Sequence, residues 1–424
     1  MKYRILKPHN LSAAVTLPAS KSISNRALVL ATLSGGGPRL LTNVSDCDDT
    51  IVMLRALNLP ETIDVGAAGT SMRFLTALLS IGEGSHLLTG TQRMCHRPIG
   101  VLVDALRQLG ADIAYAGEEG FPPLRITGRK LQGGTVELSG SVSSQYISAL
   151  LMIAPQLQSG LTLQLRGEIV SRPYIQMTIE MMRHFGAQVE WQGERMIRVE
   201  PKPYTATPYL IEADWSAASY WYEMVLLSDN EQETATLTGL FEQSLQGDSA
   251  VAAFFEQLSV RSIFLSTGSQ EPKTTLIRRG SVPARFDADL TQTPDLAQTL
   301  VVTCALKGIP FRFTGLQSLR IKETDRIAAL QTELEKLGVQ VEVEGNSAMS
   351  WAGPLEQPAG SVPYLRPAPG TAIDTYEDHR MAMAFAPAAL VLSSIDINNP
   401  EVVSKSYPRY WQDVEAAGFE IQEL

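Results

Sequence analysis

Eight cationic side chains stand near predicted helix starts, and carboxylates lie beside some of them. The cations are Lys21, Arg26, Arg73, Arg93, Lys322, Arg326, Arg380 and Lys405. The neighbouring acids are Asp295, Glu323 and Asp378. Each cation alone is most simply a solvated surface group. Asp295 and Asp378 alone are most simply helix caps, and Glu323 an acid of a first helical turn. As a set they predict a site that clamps multiply charged anions, where an acid whose pKa is set by cations serves as general acid or base.

An uncharged group, Ser143, Ser144 and Gln145, opens another predicted helix. Such side chains either cap the helix or donate hydrogen bonds to a phosphate or hydroxyl group of a ligand. His379 stands out among the histidines only because it lies between Asp378 and Arg380. The pattern therefore adds neutral donors to the predicted anion site.

Two interleaved sets of predicted helices position these residues. In the first set a polar turn leads into an apolar run, starting at Ser20, Ala67, Ser141, Asp214, Thr293 and Asp378. The second set starts at Asp48, Arg97, Arg172, Asp248, Lys322 and Ser404, and its middle members begin about 75 residues apart. Gly110, Gly186 and Gly338 follow three of these helices, as expected for a glycine that ends a helix. The chain reads as six α/β units in two similar halves, without a GxGxxG or Walker A motif.

Length and composition limit the class of protein. A chain of 424 residues predicts two domains. With 35 basic and 45 acidic residues the formal net charge is −10, which argues against a general nucleic-acid binder. The isolated cysteines Cys47, Cys95 and Cys304 predict neither a disulfide framework nor a zinc site. No signal-peptide pattern or membrane-length apolar stretch is found, so a cytoplasmic protein is expected.

Eight short motifs, in order along the chain, resemble one family, the 5-enolpyruvylshikimate-3-phosphate (EPSP) synthases. They are SKSISNRAL, AAGTSMR, RMCHRPIG, GSVSSQY, VSRPYI, KETDRI, DHRMAMAF and SKSYPRY. Because they run from Ser20 to Tyr410, the resemblance covers nearly the whole chain. It implies an α/β fold with two similar domains, each of three βαβαββ units (an inverse α/β barrel), and an active site in the interdomain cleft. Residues 1–18 and 214–424 would form a discontinuous domain, and residues 19–213 an inserted one.

The resemblance also implies a reaction. The enolpyruvyl group of phosphoenolpyruvate would pass to the 5-hydroxyl of shikimate 3-phosphate, with release of phosphate through a tetrahedral intermediate. The expected partners are these two small-molecule substrates, with no metal or organic cofactor, no nucleic acid and no membrane, and the expected state is a monomer. Two substrates that each carry a phosphate and a carboxylate need many fixed cations.

The resemblance assigns roles to residues at matching motif positions. For shikimate 3-phosphate these are Lys21, Ser22, Arg26, Ser143, Ser144, Gln145, Ser171, Tyr174, Asp295, Ser318 and Lys322. For phosphoenolpyruvate they are Lys21, Gly69, Arg93, Gln145, Arg326, Arg380 and Lys405. Asp295 would accept the proton of the 5-hydroxyl, helped by Lys322, and Glu323 would protonate the methylene carbon of phosphoenolpyruvate.

The chain departs from the family pattern in the first half. Ala67 stands where the family usually carries Asn, and Phe74 stands where a Pro often follows the arginine. Ser318 replaces a common Asn before the KETDR motif. The segment from Leu57 to Gly66 is short, so the first unit is expected to lack a strand or hairpin. We expect altered sensitivity to inhibitors that mimic phosphoenolpyruvate, without a direction.

Two other functions remain open from the sequence. The related family that transfers enolpyruvyl to UDP-N-acetylglucosamine uses a loop cysteine as its general acid. Cys95, two residues before the Arg97-Pro98 helix start, is a candidate for that role. That family's longer glycine-containing loop is missing, and the SKSISNR, KETDR and DHRMAM motifs favour the shikimate enzyme. A non-catalytic anion binder would not need Asp295 and Glu323, whose charges oppose anion binding.

Overall fold

The computed structural model describes residues 1–265, 271–354 and 364–424. The chain divides into two compact units. The discontinuous unit comprises Met1–Pro18 and Ala213–Leu424, and the inserted unit comprises Ala19–Glu212. Two backbone hydrogen bonds join the chain segments at these boundaries. The Asp214 amide donates to the Pro18 carbonyl and the Ser20 amide to the Glu212 carbonyl, each at 2.9 Å.

The strands are short and occur throughout the described chain. The N-terminal segment contains β1 Lys2–Leu6 and β2 Ser12–Thr16. The inserted unit contains β3 Leu41–Thr42, β4 Thr62–Asp64, β5 Ser85–Thr89, β6 Asp112–Tyr115, β7 Leu124–Thr127, β8 Gly134–Ser139, β9 Leu161–Arg166, β10 Val189–Gln192, β11 Met196–Val199 and β12 Tyr209–Leu210. The rest of the discontinuous unit contains β13 Thr234–Thr238, β14 Val260–Leu265, β15 Lys273–Arg278, β16 Phe286–Asp289, β17 Phe311–Thr314, β18 Glu342–Glu344, β19 Ala348–Trp351, β20 Ala372–Ile373, β21 Ser394–Asn398 and β22 Glu420–Glu423.

The α-helices alternate with these strands. In the inserted unit they are α1 Lys21–Leu33, α2 Asp48–Ala56, α3 Gly69–Ile81, α4 Gln92–Cys95, α5 Gly100–Gln108, α6 Ser144–Ile153 and α7 Arg172–His184. In the discontinuous unit they are α8 Trp215–Leu227, α9 Val251–Gln257, α10 Ala297–Lys307, α11 Arg326–Lys336, α12 His379–Phe385, α13 Ala389–Leu392 and α14 Tyr410–Ala416. None of the helices in the described residues is both long and apolar enough to cross a membrane.

The sheets of the discontinuous unit share one topology. Their strand orders are β14-β15-β13-β2, β16-β17-β19-β18 and β20-β21-β1-β22. Each sheet has one parallel pair, for example β16 with β17, and two antiparallel pairs. A parallel pair needs a crossover, which a helix supplies between β16 and β17 and between β20 and β21. The β14–β15 and β18–β19 pairs are hairpins, whereas β1 and β22 pair from opposite ends of the chain. The repeated order is therefore that of a βαβαββ unit.

The inserted unit has two sheets of the same kind and one reduced sheet. The orders β4-β5-β7-β6 and β8-β9-β11-β10 repeat the pattern above. The remaining sheet consists of β12 and β3, paired in parallel over two residues each. After α2 the described chain proceeds directly to β4, so no hairpin is added beside β3. The short segment from residue 57 to 66 accommodates this reduction.

The predicted helix sets correspond to inner and outer helices. Most residues of α1, α3, α6, α8 and α10 are buried, which explains why these helices carry apolar residues on all sides. Within each unit the inner helices pack against one another. The glycines predicted to end α5, α7 and α11 have φ of 101°, 86° and 89°, the left-handed region that glycine adopts freely. The prediction of helix ends is confirmed there.

Two predicted helix starts of the second set were wrong by four residues or more. The helix expected from Lys322 begins at Arg326, because the Asp325 side chain accepts the Ala328 amide at 3.1 Å and so caps the helix there. The helix expected from Ser404 begins at Tyr410. Pro408 disfavours helical backbone in the residue before it. The residues in front of both helices thus form turns, which free their side chains from the helix surface.

Candidate active site

Asp295 lies at the centre of a cluster of charges in the discontinuous unit. Its Oδ1 accepts hydrogen bonds from Arg326 Nη1 at 3.0 Å and from Lys322 Nζ at 3.4 Å. Its Oδ2 accepts one from Arg380 Nη2 at 3.1 Å. The carboxylate retains 19% exposure, so it is both held by cations and open to a ligand. The sequence predicted all four residues, and the structure brings them together.

The starts of helices deliver these side chains. Asp295 lies in the 3₁₀ turn Pro294–Leu296, which leads into α10. Lys322 follows the 3₁₀ turn Gln317–Ile321. Arg326 and Arg380 lie in the first turns of α11 and α12. A cation at a helix start is disfavoured by the helix dipole, so the adjacent carboxylates offset that cost.

Arg326 is the most completely paired cation of the cluster. Besides Asp295, its Nη2 donates to Glu323 Oε2 at 2.9 Å and its Nε to Asp378 Oδ2 at 2.7 Å. Its residue exposure is 1%. Burial lowers the pKa of Arg326, but the charges of the surrounding carboxylates outweigh burial and raise the pKa above its ordinary value. Arg326 therefore remains a fixed positive charge.

Asp378 is placed by a strained turn. Tyr376 and Glu377 precede it with φ of 54° and 56°, a left-handed conformation that is costly outside glycine. The Tyr376 hydroxyl donates to Glu333 at 2.6 Å and anchors this turn. Asp378 Oδ1 accepts the Arg380 amide at 2.9 Å, which caps α12. One carboxylate thus positions the backbone of Arg380 and the side chain of Arg326.

The cations set the acidity of Asp295. Burial raises the pKa of the carboxyl, but Arg380, Lys322 and Arg326, in that order of effect, outweigh burial and hold the pKa well below its ordinary value. In the substrate-free protein Asp295 is therefore an anion. An anion in this position can accept a proton only if part of the cationic charge is drawn elsewhere.

In the inserted unit, Arg26 is enclosed by neutral partners. Its Nε donates to Thr178 Oγ1 at 2.7 Å, its Nη2 to Ser148 Oγ at 3.2 Å and its Nη1 to the Ser22 carbonyl at 2.9 Å. Its guanidinium also lies 5.2 Å from the centre of the Phe74 ring. Burial lowers the pKa of Arg26 to about 10, and a coulombic interaction with Tyr174 opposes the shift. With 2% exposure, this predicted ligand residue is embedded among helices.

Gly69 marks a second group of cations in the inserted unit. A Cβ placed on Gly69 would lie 2.5 Å from Arg73 Nη1 and 2.7 Å from Arg97 Nη1, so two guanidiniums occupy the space that a side chain would need. Arg73 donates to the Gly69 carbonyl at 2.8 Å and lies over the Tyr146 ring. Arg93, the predicted residue, is exposed on α4. The structure therefore places Arg97, which the prediction missed, beside Gly69.

The other predicted residues of the inserted unit lie at helix starts. Gln145 donates to Thr70 Oγ1 at 3.0 Å, which connects α6 to α3. Lys21 Nζ lies 3.4 Å from Asp49, a buried acid that the sequence did not single out. The predicted residues Ser22, Ser143, Ser144, Ser171 and Tyr174 lie at the starts of α1, α6 and α7. Ser143 caps α6, and Ser171 precedes α7 with a φ of 54°.

Two predicted residues lie apart from these contacts. Lys405 ends the 3₁₀ turn Pro400–Lys405 and has no ion pair with any residue that the structure describes. Ser318 is half-buried in the turn before Lys322.

Cys95 is also half-buried, with its Sγ 3.7 Å from the Gly90 carbonyl. Within the described ranges, no group of three or more His, Cys, Asp or Glu residues could hold a metal ion.

Comparisons with known proteins identify the family of this chain. The family model of EPSP synthase (3-phosphoshikimate 1-carboxyvinyltransferase) matches residues 5–60 and 58–414. The 3-phosphoshikimate 1-carboxyvinyltransferase of Bacteroides fragilis (strain YCH46) is 54% identical over 424 residues, which cover 100% of this chain and 99% of the relative. The enzyme of that name from Shewanella halifaxensis is 38% identical, with 96% and 97% covered.

A solved structure shows the same fold. The EPSP synthase from Acinetobacter baumannii superimposes with a TM-score of 0.77 and 21% identity, with 100% of both chains covered. At this identity the likeness concerns the fold, and it agrees with the predicted two-domain inverse α/β architecture. With the family model and the full-length relatives, it leads to one assignment: this chain belongs to the EPSP synthase family.

Proposed function

We propose that this protein transfers the enolpyruvyl group of phosphoenolpyruvate to the 5-hydroxyl of shikimate 3-phosphate, giving 5-enolpyruvylshikimate 3-phosphate and phosphate. The observation that carries the proposal is the Asp295 carboxylate held by Lys322, Arg326 and Arg380 in a chain of this family. The three cations suit anionic substrates, and the acid suits the proton transfers of an addition and an elimination. The protein is thus a transferase of the shikimate pathway.

The proposed addition uses two acids. Asp295 accepts the proton of the 5-hydroxyl, whose oxygen bonds to C2 of phosphoenolpyruvate, while a protonated Glu323 delivers a proton to C3. In the elimination, Glu323 takes a proton back from the new methyl group and the C2–O bond to phosphate breaks. The proton on Asp295 leaves with the phosphate, so both acids return to their starting states. Arg326, which contacts both acids, orients them.

Substrate charge would convert Asp295 from a counter-ion into a base. In the free protein the cations hold its pKa low. When Arg380 and Arg326 donate to the phosphate or carboxylate of phosphoenolpyruvate, their attraction for Asp295 is shared with the substrate. The pKa of Asp295 then rises, and the proton of the 5-hydroxyl can be accepted. Binding and proton transfer are thereby coupled at one carboxylate.

We propose that residues of the inserted unit hold the phosphate-bearing substrates. Shikimate 3-phosphate would be contacted, at the starts of helices, by Lys21, Ser22, Ser143, Ser144, Gln145, Ser171 and Tyr174. The buried guanidinium of Arg26 would support these residues from within the unit. Arg97, rather than the exposed Arg93, would supply the cation beside Gly69 for phosphoenolpyruvate. The two compact units would be the two domains of the family. The protein would act in the cytoplasm as a monomer, and light scattering of the purified protein tests the monomeric state.

The experiment measures phosphate release with phosphoenolpyruvate and either shikimate 3-phosphate or UDP-N-acetylglucosamine. We expect release with the shikimate substrate, and an Asp295→Asn variant should lose about 10²- to 10⁴-fold in kcat. Asp287→Asn is the matched control, because Asp287 pairs with Arg285 on the exposed side of β16. Release with the sugar nucleotide alone, or binding of both substrates without turnover, would reject the proposal. Full activity in Asp295→Asn would reject the assigned base.

A further inference from the structure

Arg380 has a second contact that the proposed chemistry does not use. Its Nη2, which donates to Asp295, also lies 3.4 Å from Ser216 Oγ in the first turn of α8. That distance is at the long end of the hydrogen-bond range. Its strength therefore depends on whether the lone pairs of the serine hydroxyl face the guanidinium.

Asp248 fixes the direction of that hydroxyl. Ser216 Oγ donates its single hydrogen to Asp248 Oδ2 in a hydrogen bond. Since the hydrogen is directed to Asp248, the oxygen presents its lone pairs to Arg380. Asp248 is 2% exposed, and a buried carboxylate is retained only where it is hydrogen-bonded or paired.

The segment that carries Asp248 is itself anchored. Asp248 lies in the 3₁₀ turn Gly247–Ala250, and Gln246 precedes this turn. The Gln246 side chain donates to the Ala213 carbonyl at 2.8 Å and accepts the Trp215 amide at 3.2 Å. The amide side chain thus ties the turn to the start of α8. The distance between Asp248 and Ser216 is fixed by these contacts.

We propose that Asp248 and Ser216 are positioning residues that hold Arg380 in the orientation needed to bind phosphoenolpyruvate. The proposal rests on the function proposed above and adds two residues outside the set predicted to touch substrate. Ser216 and Asp248 act in series, because Asp248 reaches Arg380 through the hydroxyl of Ser216. Removal of either residue should therefore have the same consequence for Arg380.

The charges around Asp248 make this arrangement sensitive to pH. Burial and the negative charge of Asp295 raise the pKa of Asp248 to about 6. Asp214 at the start of α8 acts in the same direction, while Arg380 on α12 and the hydrogen bond from Ser216 oppose it. As pH falls through this range, Asp248 gains a proton and loses its hold on the hydroxyl. The KM for phosphoenolpyruvate should then rise.

The test compares Ser216→Ala, Asp248→Asn and the double variant in steady-state assays. We expect the KM for phosphoenolpyruvate to rise about tenfold in each single variant, with kcat and the KM for shikimate 3-phosphate changed less than about threefold. The double variant should be no worse than either single one, because the residues act in series. Ser228→Ala, which removes a buried hydroxyl at the far end of α8, is the control for loss of stability.

The pH profile provides a second readout. Phosphoenolpyruvate itself titrates near pH 6, so the wild type is compared with Asp248→Asn, in which only the substrate titration remains. A wild-type KM that rises more steeply below pH 6.5 than that of the variant supports the proposal. Unchanged KM values, identical pH profiles or equal losses toward both substrates would overturn it. An inactive wild type would instead reject the proposed function, which keeps the two failures distinct.

Discussion

The two units hold their buried arginines in different ways. In the discontinuous unit Arg326 contacts the carboxylates of Asp295, Glu323 and Asp378. In the inserted unit Arg26 contacts two hydroxyls, a backbone carbonyl and an aromatic ring. Carboxylates therefore balance the charge of the Arg326 guanidinium. The Arg26 guanidinium has around it only the dipoles of hydroxyl and carbonyl groups and an aromatic ring. The same residue type is thus a partner for acids in one unit and an uncompensated charge in the other.

This difference corresponds to two kinds of work. A carboxylate beside a cation can exchange protons and has its pKa set by the pair. A cation with only neutral partners keeps its field for an incoming anion. In the proposed reaction, the discontinuous unit would therefore carry out proton transfer and the inserted unit would bind phosphate. Among the predicted substrate-binding residues of the inserted unit, Lys21 lies near a carboxylate, that of Asp49.

The largest expected effect compares Arg326→Gln with Arg26→Gln. Loss of Arg326 strands the fully buried Asp378 and should lower the free energy of unfolding by about 3 to 5 kcal/mol. Loss of Arg26 leaves only neutral groups unsatisfied and should cost about 1 to 3 kcal/mol. Urea unfolding of both variants measures the difference. Equal losses would show that carboxylate pairing does not distinguish the two sites.

Gly69→Ala tests the cations of the inserted unit without removing a charge. The added Cβ displaces the guanidiniums of Arg73 and Arg97, so the KM for phosphoenolpyruvate should rise about tenfold, equivalent to about 1.4 kcal/mol. Gly82→Ala, at the other end of α3, is the control, because its Cβ would meet only ordinary contacts at 3.7 Å. A KM that is unchanged in Gly69→Ala would mean that these arginines do not bind phosphoenolpyruvate.

The smallest expected effect concerns a buried acid that lacks an ion-pair partner among the residues that the structure describes, in contrast to one that has such a partner. Glu223 on α8 is fully buried, and burial raises the pKa of its carboxyl well above the ordinary value, an effect that the side chain of Thr303 partly opposes. The raised pKa contributes stability below the unfolded-state pKa, near 4.5, and that contribution is lost as pH rises. Glu223→Gln should therefore raise Tm by about 2 to 4 °C at pH 8 and much less at pH 5.

Glu333 provides the matched acid for that experiment. It is equally buried, but it forms an ion pair with Lys336 at 2.7 Å and accepts the Tyr376 hydroxyl. Glu333→Gln should lower Tm at pH 8, opposite to the effect at Glu223. Calorimetry at both pH values decides the matter, and a Glu223→Gln variant that is less stable at pH 8 would contradict the expectation.

The sequence predicted the elements well because the signals for them are local. Caps such as Ser20, Ser143 and Asp214 and the glycines after helices depend on a few adjacent residues. It also predicted the residues around Asp295, since the family motifs retain them. The altered inhibitor sensitivity stays a prediction. Phe74, one of the two residues on which it rests, is buried, and its ring contacts the Arg26 guanidinium.

Contacts between distant segments could not be predicted. Gly69 begins α3 whereas Arg97 lies between α4 and α5, and only folding reveals that the guanidinium fills the space beside the glycine. Ser216 and Asp248 lie 32 positions apart and carry no motif of their own. The burial of Arg26 depends on hydroxyls supplied by α6 and α7. Such facts follow from packing between segments, for which one sequence contains no local signal.

The hydrogen bonds at the unit boundaries have a consequence for the order of folding. Pairing β2 with β13 requires closing a loop that contains the whole inserted unit. If that unit is unfolded, closure costs about 3 kcal/mol more than for a short turn. Once the inserted unit has folded, Ser20 and Glu212 lie side by side, so most of the entropy cost of closing the loop has already been incurred. We expect pulse-labelling hydrogen exchange to show protection in β8 and β9 before protection between β2 and β13.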